Sequence, residues 1–236
     1  MISEKTIIKN TSFWSKHTPW LLDYVRSEQA NGRRISRPID IPEVSKHVFV
    51  NNIIATTYYK LLCSNEKESI ERAYELSLPV IKVFSEKSLK DYELSTDYKT
   101  IISKQADRLL ALFGKQVVHD PIFPGFGTLS SCRGDFLVDG TLVEIKAHKA
   151  TNRRPRPFEI LDFRQLLVYC ALNYHAGNKH LIKKIQLFNP RMAYHWQHEV
   201  DSFIFAITAN SSVAFYESFA HYLTDVLGSP NIDIEM

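Results

Sequence analysis

The chain of 236 residues is close to electrically neutral, with 29 basic and 26 acidic side chains and a formal net charge of +3. Hydrophobic residues make up 44% and charged residues 23%, a composition that excludes disordered, collagen-like and coiled-coil chains. The length suits one sizeable domain, or a core domain with an extension. So small a net charge does not require an acidic partner, and any basic surface must be local.

The sequence contains no pattern typical of membrane insertion or secretion. No run approaches the roughly 20 apolar residues that a bilayer span needs, and the N-terminus, MISEKTIIKNTSFW, lacks the apolar stretch of a signal peptide. The three cysteines are too few and too widely spaced for a disulfide framework or a thiolate zinc site. We therefore expect reduced thiols at Cys63, Cys132 and Cys170. We therefore predict a cytoplasmic protein with no membrane partner.

The first part of the chain has helical patterns only. Apolar spacing predicts helices over about 41–63, 66–84 and 95–113, the last ending at a glycine. The arginine-rich segment 32–38 is predicted as a linker or a basic loop. We expect residues 1–90 to form a helical N-terminal region, which is a candidate for a partner or dimer contact because it carries no catalytic signal.

Strand patterns begin in the second half of the chain. We predict a loop with some extended structure over 119–131, a hairpin over 133–148 around Asp139-Gly140, strands over 181–187 and 192–199, and helices over 161–174 and 212–227. Strands interleaved with helices indicate a mixed α/β core spanning residues 91–236.

The hairpin sequence over 133–146, RGDFLVDGTLVEIK, places two carboxylates together. If its Asp-Gly pair forms a two-residue turn, Val138 pairs with Thr141, and counting outward puts Asp135 opposite Glu144. The opposite face of the hairpin is nearly all apolar and is expected to be buried. A different turn length would shift the register and separate the two carboxylates.

Facing carboxylates repel each other, at a cost of a few tenths to about 1 kcal/mol in solvent. A divalent cation held by Asp135 and Glu144 would turn this repulsion into coordination, and oxygen ligands suit Mg²⁺ or Mn²⁺. Lys146 would point to the same place. The alternative is a solvated hairpin whose charges pair as Arg133 with Glu144 and Asp135 with Lys146.

The spacing of Asp135, Glu144 and Lys146 resembles the PD-(D/E)XK nuclease superfamily. Upstream, PIFPG at 121–125 is similar to the strand that enters the core in RecB-like members. Downstream, the helical pair Gln165 and Tyr169, four residues apart on one face, resembles the Gln-Xaa-Xaa-Xaa-Tyr motif of that branch. The resemblance covers about residues 95–200.

This resemblance implies an α/β fold with a restriction-endonuclease-like mixed sheet flanked by helices and a helical N-terminal extension. It also implies a metal-dependent DNA nuclease in which Asp135 and Glu144 bind Mg²⁺, with Mn²⁺ able to substitute. Lys146 would orient the attacking water, and Gln165 and Tyr169 would hold the scissile strand or the lysine. All five residues are therefore candidate catalytic residues.

Two features depart from the family pattern. Gly134 stands where the motif's name has proline, a change that leaves the ligands in place. The acid or histidine that such families often supply from the preceding helix is not evident. Asp107 and His119 are candidates, although a solvated helix charge and a loop histidine are the favoured explanations for them.

A cluster of cations follows the hairpin and predicts a nucleic-acid partner. The segment 146–156 contains five basic residues and no acidic one. Its side chains beyond the catalytic lysine are candidate phosphate contacts: Lys149, Arg153, Arg154 and Arg156. The alternative is a solvated loop, and the arginines of 32–38 would form a second, weaker patch.

Three functions remain open from the sequence. The first is a DNA nuclease in phage defence, mobile-element biology or repair. The second is a nucleic-acid-binding or assembly subunit that keeps the fold without activity, although a retired site usually loses one of its residues. The third is a nuclease that depends on a helicase or ATPase partner, since the chain has no Gly-rich phosphate loop of its own. A homo-oligomer is compatible with each.

Overall fold

The computed structural model describes residues 1–31, 33–34, 53, 57, 96–111, 117–148 and 156–227. Three short helices open the chain and are followed by a two-residue strand: α1 (Glu4–Lys9), α2 (Thr11–His17), α3 (Leu21–Asn31) and β1 (Arg33–Arg34). Ser3 caps α1 and Asn10 caps α2, each through a side-chain oxygen that accepts a backbone N–H of the first turn. The arginine-rich segment was predicted as a loop, but its residues 33–34 form a strand because they pair with a later strand.

Most of the sheet lies in the second half of the chain. Its elements, in order, are α4 (Thr96–Leu110), β2 (Val117–His119), β3 (Ile122–Phe123), β4 (Cys132–Arg133), β5 (Phe136–Val138), β6 (Thr141–Ile145), α5 (Ile160–His175), β7 (Lys184–Asn189), β8 (Tyr194–Glu199), α6 (Val200–Thr208) and α7 (Ser212–His221). A π-helical turn, Tyr222–Val226, ends this series. No described helix is both long and apolar enough to cross a bilayer.

The described strands form a mixed six-stranded sheet in the order β1-β8-β7-β6-β5-β2, and β3 and β4 form a separate ribbon. Within the sheet β6 and β7 are parallel, while the other neighbouring pairs are antiparallel. Parallel neighbours need a crossover, and α5 supplies it. The predicted mixed α/β fold is therefore confirmed at the level of a mixed sheet flanked by helices.

The hairpin has the predicted register, with Val138 opposite Thr141 and Phe136 opposite Val143. Its turn residues have positive φ angles, 45° at Asp139 and 80° at Gly140. Positive φ at both central positions is typical of the two-residue turn whose twist matches a hairpin, and Asp-Gly tolerates it. Local turn chemistry therefore sets the alignment of the strands that carry the candidate site.

Both faces of the sheet are covered by helices. One face joins α1, α2, α3, α5, α6 and α7 in a cluster that we call the main core, which includes Leu142 and Leu187 of the sheet. The other face packs against α4 through Phe136 and Val143 in a smaller second core. The apolar face of the hairpin is buried as predicted. The face that carries Glu144 is buried too, because α5 covers it.

The N-terminal helices are part of the main core. Ile7, Phe13, Trp14 and Leu21 are almost fully buried in it. The predicted boundary near residue 90 lies outside the described residues and stays a prediction, as does a partner contact by residues 1–90. Within the described part, residues 1–31 pack on the same helices as the C-terminal half.

Most of the other predicted elements in the described residues are present with shifted ends. The predicted helix over 95–113 is α4, that over 161–174 is α5, and the last one is α7 with its π-helical turn. The helix α6 was not predicted, and it follows β8 without an intervening loop. Predicted helices over 41–63 and 66–84 lie outside the described residues, apart from residues 53 and 57, which are helical. Cys132 and Cys170 are unpaired and buried, as predicted, and Cys63 lies outside the described part.

Candidate active site

Asp135 and Glu144 meet at the open end of the hairpin, on the sheet face covered by α5. The backbone N–H of Asp135 donates to Oε1 of Glu144 at 3.0 Å, and the N–H of Ile145 donates to Oδ2 of Asp135 at 2.7 Å. Each carboxylate thus accepts an N–H from its neighbouring strand. Glu144 is 2% exposed and Asp135 is partly buried, so two acids lie together away from bulk water.

The third residue of the predicted motif completes this group. The Lys146 ammonium donates to Oε2 of Glu144 at 3.0 Å and to Oε1 of Gln165 at 2.5 Å. Gln165 in turn donates through Nε2 to the Tyr169 hydroxyl at 2.7 Å. The structure therefore brings together all five residues that the sequence predicted as catalytic.

The pKa values in the site follow from burial and mutual charge. Burial, and then the neighbouring Glu144 carboxylate, raise the pKa of Asp135 well above its usual value. Burial acts to lower the pKa of Lys146, but the carboxylates of Glu144, Asp162 and Asp135 outweigh it and raise that pKa. The lysine therefore stays a cation at neutral pH.

A sixth residue, Glu4 of α1, reaches the site from the N-terminal end of the chain. Its Oε1 lies 3.1 Å from the Tyr169 hydroxyl, which also lies 2.8 Å from the Arg133 carbonyl oxygen. Burial, and then Glu144, raise the pKa of Glu4. Glu4 was not predicted as a site residue, because nothing in the sequence around it distinguishes it from an ordinary acid in the first turn of a helix.

Gly134 leaves room for the Glu144 side chain. A Cβ atom at Gly134 would lie 3.2 Å from both Leu142 Cδ1 and Phe123 Cε2 and 3.3 Å from Glu144 Oε1. The Gly134 N–H also donates to the Pro121 carbonyl at 3.0 Å. A proline at this position could not make that hydrogen bond.

The two upstream candidates lie elsewhere. Asp107 is exposed on α4. His119 packs its ring 5.5 Å from that of Phe136, which belongs to the second core on the other face of the sheet. The alternative of a solvated hairpin is wrong: Arg133 pairs with Asp120 at 2.5 Å, and Lys146 pairs with the buried Glu144.

The structure describes the two residues that flank the predicted basic segment 149–156 and, within it, Arg156 alone. Arg156 is exposed, whereas Lys149, Arg153 and Arg154 lie outside the described residues. The buried Asn189 side chain donates through Nδ2 to the carbonyl oxygens of His148 at 3.2 Å and Pro157 at 2.7 Å. One amide group therefore holds the two residues that flank the segment 149–156.

The donor set of the site suits a hard divalent cation. No three His, Cys, Asp or Glu side chains among the described residues converge as ligands. The protein's share would therefore be the carboxylates of Asp135 and Glu144. Mg²⁺ is commonly held by one or two carboxylates together with water and substrate phosphates. A cation between the two acids would also remove the repulsion that raises the Asp135 pKa.

Comparisons of this chain with protein-family models, with curated proteins and with solved structures gave no match.

Proposed function

We propose that this chain is a metal-dependent nuclease of the PD-(D/E)XK superfamily that hydrolyses phosphodiester bonds of DNA. The observation that carries the proposal is the pair of adjacent carboxylates, Glu144 buried and Asp135 partly buried, with Lys146 donating to Glu144 at 3.0 Å. A sequence selected for stability alone would avoid two adjacent buried carboxylates, so their placement points to a bound cation.

The strand arrangement supports the same assignment. β2, β5 and β6 form an antiparallel meander, and α5 then crosses to β7, which is parallel to β6. This arrangement is compatible with the restriction-endonuclease-like core that the sequence motif implies. The Gln165 and Tyr169 pair favours the RecB-like branch, since α5 presents both side chains to the candidate site.

Asp135 and Glu144 would hold Mg²⁺, with Mn²⁺ as a substitute. When bound, the ion acidifies a water molecule and stabilises charge on the phosphoryl oxygens. Lys146 has a raised pKa and therefore contributes a positive charge rather than acting as a general base. Its ammonium would orient the attacking water and neutralise the pentavalent transition state. The expected products carry 5′-phosphates.

Gln165 and Tyr169 would position the catalytic lysine. Gln165 accepts one hydrogen bond from Lys146 and donates one to Tyr169, so it fixes the direction of the ammonium. Tyr169 is in turn held between the Arg133 carbonyl and Glu4. This chain of contacts limits the rotamers that Lys146 can adopt, which is how a supporting residue keeps a reacting group in place.

A nucleic acid is the substrate that the basic segment 149–156 favours, because its cations can contact a phosphate backbone, and DNA is the nucleic acid that the resemblance implies. Phage defence, mobile-element biology or repair are the settings that suit such an enzyme. A helicase or ATPase partner would be a separate polypeptide.

The test is a cleavage assay on linear, circular and single-stranded DNA with Mg²⁺, Mn²⁺ or EDTA. We expect cleavage with either metal and none with EDTA. Asp135→Ala and Lys146→Ala should lower the rate by at least about 10²-fold. Lys183→Ala, which removes an exposed lysine, is the matched control and should cleave normally.

Two results would contradict this proposal. Cleavage that survives both site substitutions would show that the reaction takes place elsewhere. Absence of cleavage under every condition, with DNA binding retained, would favour an inactive binding subunit, or an enzyme that needs its partner.

A further inference from the structure

The contacts between β6 and α5 continue beyond the catalytic lysine. Alternate residues of a strand share a face, so His148 follows Glu144 and Lys146 on the side that faces the helix. Lys146 contacts Gln165, and His148 contacts Asp162, one turn earlier on α5, with 2.7 Å between Nε2 and Oδ2. Strand and helix are therefore joined by two successive polar pairs.

The second pair is buried and joined to the start of the helix. His148 is 9% exposed and Asp162 7%. The same Oδ2 atom of Asp162 also accepts the backbone N–H of Glu159 at 2.7 Å, at the residue that caps α5. Because a carboxylate oxygen only accepts, His148 donates through Nε2, and its Nδ1 lies 3.3 Å from Oε1 of Glu159.

We propose that His148 and Asp162 are positioning residues for Lys146. Their contact fixes the first turn of α5 against the end of β6, and Gln165 lies one turn further along the same helix. A shift of this turn would move the Gln165 amide away from the ammonium. The kinetic part of this inference rests on the proposed nuclease function.

The Asp162 carboxylate carries this geometry, because one of its oxygens accepts from both His148 and the backbone N–H of Glu159. Replacing it with an amide weakens an acceptor that serves both donors and so loosens the first turn of the helix. A pair with only a structural role would change the stability of the protein and leave the rate of the folded enzyme unchanged.

The experiment compares single-turnover cleavage and steady-state kinetics for the full chain with Asp162→Asn, His148→Gln and the double variant. We expect each single variant to lower kcat by about 10- to 100-fold with little change in KM. The double variant should lose no more than the worse single variant, because both changes break one contact. His221→Gln is the matched control, since it removes another histidine–aspartate pair, the exposed one with Asp225, and should cleave at the wild-type rate.

A folded Asp162→Asn or His148→Gln protein with the wild-type kcat would overturn the inference, and so would a rise in KM alone. Asp162→Glu tests rescue: partial recovery of kcat relative to Asp162→Asn supports positioning by the carboxylate, and equal losses contradict it. If Asp162→Asn does not fold, His148→Ala, which removes the donor to Asp162 altogether, decides the matter by the same kcat criterion.

A readout without catalysis separates this inference from the nuclease proposal. In the metal-free wild type, the Lys146 ammonium protons should exchange with water slowly enough for the ¹⁵N resonance of this group to be observed. The resonance is assigned by its absence from the spectrum of Lys146→Arg. Asp162→Asn and His148→Gln should broaden it or abolish it, even if the wild type cleaves no DNA. An unchanged resonance in both variants would overturn the positioning role, whatever the activity.

Discussion

Asp135 combines charge with burial in a way that lowers the stability of the protein. Burial and the Glu144 carboxylate together raise its pKa. Among the described residues, Lys146 is the one cation in contact with this pair, and its ammonium donates to Glu144 rather than to Asp135. A site that tolerates such a cost is typical of a functional position, where stability and activity conflict.

Asp135→Asn should therefore stabilise the metal-free protein at neutral pH. An unfolded aspartate ionises near pH 4, whereas the folded one retains its proton to higher pH. As pH rises between these two pKa values, ionisation favours the unfolded state, so the wild type loses stability over that interval. The variant should gain on the order of 1 kcal/mol at pH 7.5 and little at pH 4.

Urea unfolding at the two pH values measures this difference. Asp139→Asn, on the exposed turn of the same hairpin, is the control and should show no such dependence on pH. A gain for Asp135→Asn that is equal at both pH values, or a loss at neutral pH, would mean that the carboxylate pair does not destabilise the fold.

Gly134→Ala tests how closely the chain packs around Glu144. The added methyl would meet Leu142, Phe123 and the Glu144 carboxylate at 3.2–3.3 Å, which is closer than ordinary contact distances. We expect a loss of about 1–3 kcal/mol in the free energy of unfolding. Combining it with Leu142→Val should recover part of the loss, because the two residues compete for the same space. Strict additivity of the two substitutions would argue against steric crowding.

At the scale of elements, α1 joins the N-terminal end of the chain to α5. Its Glu4 meets Tyr169 of α5, and its Ile8 carbonyl accepts a hydrogen bond from the buried Arg164 of the same helix at 3.1 Å. Ile7, between them, lies in the main core. The first helix therefore supports α5, which carries the glutamine and tyrosine of the site.

Ile7→Ala should lower the free energy of unfolding by about 2–5 kcal/mol, the usual cost of a cavity in a packed core. Ile122→Ala removes the same atoms from a residue that is 41% exposed and should change stability by less than about 0.5 kcal/mol. Urea unfolding monitored by tryptophan fluorescence measures both. Equally small losses of unfolding free energy for the two variants would show that α1 packs only loosely on the main core.

The sequence predicted those helices and strands whose defining pattern is contained in a few neighbouring residues. The Asp139-Gly140 turn predicted the hairpin register, and spacing placed Gln165 and Tyr169 on one helix face, whereas the catalytic roles of the five candidates came from the resemblance to a nuclease superfamily. The helix α6 was missed because residues 202–216 carry no charge and hence show no contrast between faces. Burial of the Glu144 face by α5 was missed because a hairpin sequence does not show which helix covers it.

Contacts between distant parts of the chain could not be predicted in this way. Glu4 lies 165 residues from Tyr169, and no periodicity connects them. In the sequence, His148 and Asp162 have no feature that sets them apart from ordinary polar residues. Only the packing of the start of α5 on the end of β6 brings them into contact. Such pairs depend on how helices pack on the sheet, which the spacing of a single sequence does not specify.

At the scale of the whole molecule, the mixed sheet separates two cores and places the acids on the side covered by α5. The near-neutral net charge of +3 hides a basic segment whose flanking residues, His148 and Pro157, both accept hydrogen bonds from Asn189. The fold therefore brings the residues on either side of that segment to the end of the sheet that carries the carboxylate pair.

The most direct test of this account is the single-turnover rate of DNA cleavage in Mg²⁺ for the wild type, Asp135→Asn and Asp139→Asn. The two substitutions make the same chemical change four residues apart, one in the site and one on the turn. We predict that Asp139→Asn cleaves at the wild-type rate and that Asp135→Asn loses at least about 10²-fold. Wild-type cleavage by Asp135→Asn would contradict the central claim that this carboxylate binds the catalytic metal.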